Sequence, residues 1–425
     1  MAKALYICYF GLRQPLVQTQ VLPYLRELLK DGHEITLLTF EPDYDDSWTP
    51  EQILEVRKKL LLTGVEWHCL PYHKWPSAIA TAYDIFCGAW FIRSMIGKKR
   101  IDILHGRVHV PTLMGAIARK FSRRKPRLLF DIRGFFPEEY TDAGIWPENG
   151  ILYRSVKKAE KWLMKEADGF VVLTEKAREI LFGEREKART GDEAAENPQS
   201  ENRPVEVIPC CVDLMRFEGL NADSRAQMRK KLAVENRYVM AYVGSFGGWY
   251  LTDETADFYG QLKLAKKNSF ALVLTQSKPE MIEPLLRARG FATGDFLITR
   301  VLPSEIPSYL GAADAAVSFI KLCYSKQASS PTKNAEYLAC GLPIIANSGV
   351  GDVDELISKD DVGVLVESFS AGDYKIAIRT LNELSADPNL AARCRKSAQR
   401  RFDLGGVGGK RYRRLYERIL NKNTN

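Results

Sequence analysis

The sequence has no long apolar run, since no stretch of about 18 residues or more consists of apolar side chains alone. Because a helix needs about 20 such residues to cross a bilayer, we expect no membrane-spanning segment. We also expect no secretion signal, since the first residues lead directly into the strand-like stretch 4–9. These absences predict a cytoplasmic protein and leave open only a peripheral contact with the inner face of the cytoplasmic membrane.

Histidine is scarce, and cysteine shows no paired spacing. All five histidines lie in the first 109 residues, and none belongs to an HExxH motif. The eight cysteines are scattered, apart from the adjacent Cys210 and Cys211. We therefore expect no histidine-based metal site, and reduced, mostly buried thiols of the kind found in cytoplasmic proteins.

Acidic residues are outnumbered, and in places they are missing. The chain carries 61 Lys and Arg against 53 Asp and Glu, a formal net charge of +8. Segment 119–127 holds six of these cations and no acid, and a second basic group occupies 98–100. Such clusters favour anionic lipid headgroups, although a solvated helix end is an equally good interpretation. No nucleic-acid recognition motif accompanies the cations, so we expect no nucleic-acid partner.

The sequence does contain a regular alternation of short apolar strands and amphipathic helices. Strands are predicted in the first half at 4–9, 34–40, 65–70, 101–104, 128–132, 169–173 and 205–208. Helices are predicted between them at 21–30, 50–62, 76–96, 110–121 and 151–166. Further strands are predicted at 238–243, 270–275, 296–301, 314–320, 342–346 and 363–366. This alternation predicts the α/β fold class, with two Rossmann-like doubly wound parallel-sheet domains facing a central cleft.

The predicted domain boundaries divide the chain into three parts. One Rossmann-like domain spans 1–215, a second spans 216–405, and 406–425 form a helix that packs back on the first domain. The charged stretch 184–203 has almost no apolar residues and is predicted to be a mobile insertion. Segment 76–96 is unusually apolar. We interpret it as a core helix, with a membrane-interface helix as the alternative.

Segment 329–343 carries the strongest chemical signal. Ser330 is a preferred helix N-cap and Pro331 a preferred first helical residue, so a helix start is predicted here. The free amides and the dipole of such a start bind phosphate well, and Lys333 adds a full charge. Glu336 shares the face of Lys333 and is able to accept hydrogen bonds from vicinal hydroxyls, so a diphosphate attached to a ribose fits both. The plainer interpretation is a capped amphipathic helix with Lys333 and Glu336 as a solvated pair.

Several stretches resemble family 4 of the retaining glycosyltransferases, whose GT-B fold has two Rossmann-like domains. They follow the family's order at 21–40, 128–139, 167–177, 207–217, 242–248 and 329–346, and they are spread over nearly the whole chain. The resemblance implies transfer of a sugar from a nucleotide diphosphate sugar, bound mainly by the second domain, to an acceptor held mainly by the first. It also implies no essential metal and no further cofactor.

The resemblance implies roles for individual residues of the second domain. The family's ribose-binding glutamate matches Glu336, and its tight turn beside the phosphates matches Gly244 and Ser245. The residues expected around the diphosphate are Ser330, Thr332 and Lys333.

The chain departs from the family pattern in three places. Ala328 stands where a first glutamate is common, so that residue's contacts to the donor sugar are not carried over. A basic pair after the first turn of the second domain is absent, and Lys333 with Lys326 is expected to supply the positive charge instead. Asp131 and Arg133 occupy the region of a histidine near the reaction centre. Arg133 is expected to aim at acceptor or phosphate and is not a base, because it stays protonated.

The resemblance thus implies Lys333, Glu336 and Arg133 as catalytic residues, and Gly11, Asp131 and Arg133 as acceptor-side residues. Retaining transfer at such a site needs charge stabilisation on the leaving diphosphate more than a protein nucleophile. The expected function is a retaining glycosyltransferase of hexosyltransferase type, acting on a lipid-linked or cell-surface polysaccharide precursor. A nucleotide-sugar epimerase of similar fold and a non-catalytic nucleotide-sugar-binding protein stay open as alternatives.

Overall fold

The computed structural model describes residues 1–42, 44–183 and 203–421. The chain divides into two compact units, Met1–Pro209 with Val407–Asn425 and Cys210–Gly406. The first unit ends at Pro209 where the sequence predicted 215, and the second ends at Gly406 where it predicted 405. All of the predicted insertion 184–203 except Arg203 lies outside the described residues.

The first unit is built on a parallel sheet of seven strands. The strands are β1 (Lys3–Cys8), β2 (Glu34–Glu41), β3 (Val65–Pro71), β4 (Ile103–Arg107), β5 (Arg127–Asp131), β6 (Gly169–Val172) and β7 (Val205–Val207). Their order is β3-β2-β1-β4-β5-β6-β7. The helices are α1 (Pro15–Gln20), α2 (Leu22–Leu29), α3 (Tyr44–Ser47), α4 (Pro50–Leu62), α5 (Ser77–Lys99), α6 (His109–Lys120), α7 (Phe136–Asp142), α8 (Ile151–Glu166), α9 (Glu175–Phe182) and the C-terminal α18 (Lys410–Leu420).

The second unit repeats the plan with six parallel strands. They are β8 (Tyr238–Val243), β9 (Ser269–Leu274), β10 (Phe296–Thr299), β11 (Ala315–Ser318), β12 (Ile344–Asn347) and β13 (Gly363–Val366), in the order β10-β9-β8-β11-β12-β13. The helices are α10 (Ala222–Lys231), α11 (Thr252–Ala265), α12 (Glu283–Ala288), α13 (Ile306–Gly311), α14 (Thr332–Ala339), α15 (Val353–Asp360), α16 (Ala371–Ser385) and α17 (Leu390–Phe402). Three 3₁₀ helices of this unit lie at Leu214–Phe217, Pro279–Met281 and Tyr324–Ala328. A π-helix, Leu404–Gly409, begins in this unit and ends in the part of the chain that belongs to the first.

Local sequence explains why these elements form where they do. The predicted strands are all present, with ends that differ by a few residues, because parallel strands are apolar on both faces; β11, for example, is buried throughout. Helix α4 has the predicted bounds, since Thr49 and Gln52 form a capping box and Pro50 occupies the first turn. The doubly wound α/β class is confirmed in both units.

In the second unit the strand order reverses between β8 and β11. Ligands of open parallel sheets bind outside the carboxyl ends of the strands at such a switch point. Gly244 follows β8 directly, and the segment after β11 leads through Lys326 into α14. The switch point therefore brings together the segments that carry the predicted donor-binding residues.

The expectation that segment 76–96 is a core helix is wrong for one of its faces. Helix α5 buries small and aliphatic residues such as Gly88, Ile92 and Ile96, whereas three of its four large aromatic side chains are exposed to solvent. The separation arises because the buried and exposed apolar residues follow different helical stripes. No helix among the described residues is long and apolar enough to cross a bilayer.

The C-terminal helix α18 packs on the first unit through polar as well as apolar contacts. The Tyr416 hydroxyl lies 2.9 Å from Nδ1 of His105 on β4. Arg414 donates two hydrogen bonds to the carboxylate of Glu206 on β7, at 3.0 and 2.6 Å. Tyr412, Leu415, Tyr416 and Ile419 are buried, so this helix contributes to the core of the first unit.

Candidate functional site

The turn after β8 is tight and depends on glycine. Gly244 has φ +139, and its amide donates to the carbonyl of Leu274 at 3.0 Å. Gly247 and Gly248 also have positive φ, at +78 and +61. L-residues with a side chain rarely adopt these conformations, so the turn keeps its backbone close to the start of α14 without side chains in between.

Helix α14 begins at Thr332, one residue later than predicted. Pro331 is the N-cap, with extended backbone and no side-chain capping bond. The prediction of Ser330 as N-cap is wrong, because its hydroxyl accepts instead from the amide of Cys210 at 3.1 Å. The first amides of an α-helix have no partner within the helix, and here no capping side chain occupies them. This N-terminus therefore offers hydrogen-bond donors and the positive end of a helix dipole.

Helix α14 ends at Ala339 and is closed by a glycine two residues later. Gly341 has φ +81, its amide donates to Leu338 O at 2.9 Å, and the amide of Leu342 donates to Tyr337 O at 3.0 Å. These two bonds form a Schellman motif, which fixes the helix C-terminus.

Lys333, in the first turn of α14, is buried with 7% exposure. Its Nζ has no hydrogen-bond partner among the residues that the structure describes. Two rings border it instead: Nζ lies 4.4 Å from the ring centroid of Tyr242 and 4.3 Å from that of Tyr250. Burial lowers the pKa of Lys333 to about 7. An ammonium group in such a position lacks a counter-ion, and a phosphate would supply one.

Glu336, one turn further along α14, is also buried, with 8% exposure. Its Oε1 lies 3.5 Å from NH1 of Arg216, whose other terminal nitrogen donates to the carbonyl of Pro303 at 2.5 Å. Burial raises the pKa of the Glu336 carboxyl, and Arg216 opposes this shift. Lys333 and Glu336 are thus buried and not a solvated pair, so the plainer interpretation of this helix is wrong.

The other predicted donor-side residues surround this helix start. Lys326 is buried, and its Nζ lies 3.9 Å from the ring centroid of Trp249. Ser245 is exposed, and its carbonyl accepts from the Tyr242 hydroxyl at 2.5 Å. Thr332 is the first residue of α14. Their roles toward a donor stay predictions.

In the first unit, Asp131 and Arg133 form a buried network with α18. Arg133 Nε lies 2.9 Å from Asp131 Oδ1, and its NH2 donates to the Tyr412 hydroxyl at 2.7 Å. That hydroxyl donates to Asp131 Oδ2 at 2.9 Å. Burial by itself would raise the pKa of Asp131, but Arg133 and His105 hold it well below its usual range. These contacts hold α18 against the end of β5. The acceptor-side roles of Asp131 and Arg133 stay predictions.

Gly11, in the segment after β1, packs directly against the end of β2. A Cβ atom at Gly11 would lie 2.6 Å from Cδ of Pro42 and 2.9 Å from Oε2 of Glu41. The Glu41 carboxylate accepts from the amide of Leu12 at 2.9 Å. The glycine is required for this close approach, and its predicted acceptor-side role is a separate matter that stays a prediction.

Comparison with known families decides the class. The family described as "Glycosyl transferase 4-like domain" matches residues 17–189, and the family described as "Glycosyl transferases group 1" matches residues 223–401. The chain belongs to the family 4-type glycosyltransferases of the GT-B fold. A curated relative, the 2-deoxystreptamine glucosyltransferase of Streptomyces kanamyceticus, is 26% identical over 282 residues. The match covers 64% of this chain and 66% of that enzyme, slightly less than two thirds of its length.

Solved structures share the fold of this glycosyltransferase. The sucrose-phosphate synthase of Thermosynechococcus elongatus superposes with a TM-score of 0.69 at 16% identity, covering 98% of this chain and 100% of that one. HepE of Anabaena, solved in complex with UDP-glucose, superposes with a TM-score of 0.62 at 15% identity, covering 98% and 100%. At these identities the superpositions establish the fold.

Sequence reasoning missed four side chains that contact the candidate site residues Lys326, Lys333 and Glu336. They are Tyr242 and Tyr250 beside Lys333, Trp249 over Lys326, and Arg216 beside Glu336. The three aromatic residues flank the glycine turn in the run YVGSFGGWY, so their proximity to Gly244 was a usable signal. Arg216 lies 120 residues from Glu336, and only the fold brings the two together.

Proposed function

We propose that this glycosyltransferase moves a sugar from a nucleoside diphosphate sugar to an acceptor hydroxyl, with the donor held at the start of α14. The observation that carries the proposal is the buried Nζ of Lys333, which has no hydrogen-bond partner within the described part of the chain. A diphosphate at this position would neutralise that charge and accept hydrogen bonds from the free amides of the helix start.

In this proposal, Glu336 binds the nucleoside half of the donor. It follows Lys333 by one helical turn, which places both side chains on one face of α14. Its carboxylate has acceptor sites beyond the contact with Arg216, and two vicinal ribose hydroxyls would fill them. The donor therefore lies along the helix face, with its diphosphate at the start of α14 and its ribose one turn beyond.

During transfer, the bond between the anomeric carbon and the β-phosphate oxygen breaks, and a bond from the acceptor oxygen to the same carbon forms. Negative charge grows on the phosphate, which Lys333 and the α14 amides stabilise more strongly than in the ground state. The acceptor proton passes to the departing phosphate oxygen when attack occurs on the same face, which gives retention. Loss of one such stabilising group costs roughly 3 kcal/mol, or about a hundredfold in rate.

We propose a UDP-hexose as the donor class. Two relatives support it: HepE was solved with UDP-glucose, and the Streptomyces kanamyceticus relative is a glucosyltransferase. No metal is needed in this proposal, because Lys333 and the helix amides supply the positive charge that a diphosphate requires.

For the acceptor we propose a lipid-linked or cell-surface polysaccharide precursor. The proposal is supported by the exposed cations of segment 119–127 and the solvent-facing aromatic side chains of α5, which would suit an acceptor presented at a membrane. A soluble acceptor would require neither feature.

A transfer assay tests the proposal. UDP-glucose and other nucleotide sugars are offered with and without glycolipid acceptors, and the release of nucleoside diphosphate and the anomeric configuration of the product are measured. We expect diphosphate release only with an acceptor, and a loss of about a hundredfold in kcat/KM for Lys333→Met. The matched control Lys359→Met removes an exposed lysine of the same unit and should leave the rate unchanged. Sugar epimerisation without an acceptor would contradict the proposal, and so would full activity of Lys333→Met.

A further inference from the structure

Helix α5 and the residue preceding Pro76 present a row of large apolar side chains to solvent. We call them the aromatic stripe: Trp75, Ile79, Tyr83, Phe86 and Trp90, with exposures of 81, 70, 55, 68 and 64%. From Ile79 onward the members are spaced by four, three and four residues, so they share one face of the helix over about 16 Å. A contiguous apolar surface of this kind marks an interaction site.

A group of cations borders the end of the aromatic stripe. Arg93 stacks on Trp90, with its guanidinium carbon 5.4 Å from the ring centroid, and its Nε donates to the carbonyl of Phe121 at 2.9 Å. Phe121 is itself 68% exposed and opens the turn that carries Arg123 and Lys125. The stripe and the basic turn after α6 thus form one continuous surface.

The cations beside the stripe are not neutralised by carboxylates, although Lys125 Nζ donates to the carbonyls of Arg119 and Lys120 at 2.9 and 2.8 Å. We call Arg93, Lys98, Arg123 and Lys125 the cation rim; all are exposed, and none forms an ion pair with a carboxylate in the described ranges. Their neighbours behave differently, since Arg119 and Arg127 pair with Asp168 and Arg124 pairs with Asp102.

Helix α5 itself carries a single acidic residue, and that residue is buried. The one acid of α5, Asp84, is 1% exposed; its carboxylate accepts from the Tyr9 hydroxyl at 2.6 Å and lies 2.5 Å from Nδ1 of His73. The cation rim therefore has no opposing charge on α5, and its complement is an anionic partner.

We propose that the aromatic stripe and the cation rim dock the first unit on an anionic lipid bilayer. Trp, Tyr and Phe side chains enter the headgroup region of a bilayer, and Lys and Arg beside them bind its negative surface. A second copy of this chain is a poorer match, because it carries the same cations and a net charge of +8. Protein interfaces are also depleted of lysine, whereas lipid-binding helices are rich in it.

The aromatic stripe lies close to the carboxyl edge of the first sheet. Tyr83 of the stripe contacts the ring of His73 edge-on, with centroids 5.1 Å apart. His73 follows β3 and Tyr9 follows β1, and both meet at Asp84. An acceptor with a lipid anchor would thus reach the ligand-binding edge of this unit from the bilayer.

Sedimentation of the full chain with vesicles tests the inference. The vesicles contain phosphatidylcholine alone, or equal parts of phosphatidylcholine and phosphatidylglycerol. We expect binding to the anionic vesicles, weakened by salt, and a loss of about tenfold or more in the partition coefficient for the double variant Phe86→Gln/Trp90→Gln. Arg123→Gln/Lys125→Gln should lose roughly ten- to thirtyfold. Glutamine keeps the helix propensity and the replaced side chains are exposed, so folding should persist.

The control variant Leu62→Gln/Leu264→Gln removes two exposed apolar side chains, 90 and 75% exposed, from other helices and should bind like the parent. Equal vesicle binding by the stripe variant would overturn the inference. The inference would also be overturned if the parent protein did not bind vesicles but self-associated, and if the stripe variant abolished that self-association. The surface would then be assigned to contact with a second copy of the chain. UDP-glucose binding is measured in parallel, because the proposed donor site lies in the second unit. A protein that binds UDP-glucose but not vesicles would contradict the docking inference alone, and a protein that binds vesicles but not UDP-glucose would contradict the proposed function alone.

Discussion

The Nζ atom of Lys333 lies 3.1 Å from the point where a Cβ atom of residue 244 would stand. Gly244 also has φ +139, which L side chains rarely adopt. Gly244→Ala should therefore displace both the turn and the ammonium group. We expect donor affinity to fall about tenfold or more and the free energy of unfolding to drop by about 1–3 kcal/mol, measured by calorimetric titration with UDP-glucose and by urea denaturation.

Gly372→Ala is the matched control for this variant. Gly372 lies in α16 of the same unit, and the nearest atom to its added Cβ is Oγ of Ser370 at 3.6 Å. The Gly372→Ala substitution should leave the affinity for UDP-glucose unchanged. Wild-type affinity in Gly244→Ala would show that the turn does not approach the donor.

Donor binding should depend on pH through Lys333. Burial lowers the pKa of its ammonium group from 10.5 to about 7, and a bound diphosphate would raise it again. Binding should thus take up a proton, and the Kd for UDP-glucose should rise roughly fifteenfold between pH 7 and about pH 8.5. Titration in buffers of different ionisation enthalpy measures the proton uptake. In Lys333→Met this dependence should vanish, whereas Lys326→Met should keep it.

The same lysine makes folding stability depend on pH. Between about pH 7 and 10.5 the unfolded chain binds a proton at Lys333 that the folded chain has released, so this contribution to stability increases with pH. Removal of the buried charge in Lys333→Met should raise the free energy of unfolding at pH 7 by roughly 2 kcal/mol. A destabilised Lys333→Met would indicate that another group already neutralises the ammonium in the free protein.

Glu336→Gln tests the ribose contact. If the carboxylate accepts from the ribose hydroxyls, the substitution should weaken UDP binding by about ten- to hundredfold. The same substitution should cost almost nothing with 2′,3′-dideoxy-UDP, because the hydroxyls are then absent. An equal loss with both nucleotides would assign Glu336 to positioning Arg216, which lies 3.5 Å away.

Tyr412→Phe tests how α18 is held. The variant loses the bonds of the hydroxyl to Asp131 and Arg133, at 2.9 and 2.7 Å, inside a buried network. We expect the free energy of unfolding of the first unit to fall by about 1–3 kcal/mol, with UDP binding unchanged. No loss of stability would mean that apolar packing alone fixes the helix.

Local pattern was enough to predict the fold. Strands such as β8 and helices such as α4 and α8 have the predicted bounds, because a continuous apolar run or a capping box acts within a few residues. The sequence of α5 predicted a helix but not its surroundings. An apolar stripe looks the same whether it meets a protein core or solvent, and the structure shows that its aromatic face meets solvent.

The site was predictable where its residues are neighbours in sequence, as Lys333 and Glu336 are. It was not predictable where distant segments meet. Ser330 is not the N-cap of α14, because its hydroxyl accepts a hydrogen bond from the backbone amide of Cys210, 120 residues earlier in the chain. Tyr250 reaches Lys333 only through the turn after β8. Such contacts depend on tertiary structure, which local propensity does not contain.

A crystal structure with UDP-glucose bound tests the central claim most directly. The claim predicts phosphate oxygens within about 2.7–3.2 Å of Lys333 Nζ and of the first amides of α14, with ribose hydroxyls at the Glu336 carboxylate. Donor density elsewhere on the second unit, with the start of α14 occupied by solvent, would contradict it.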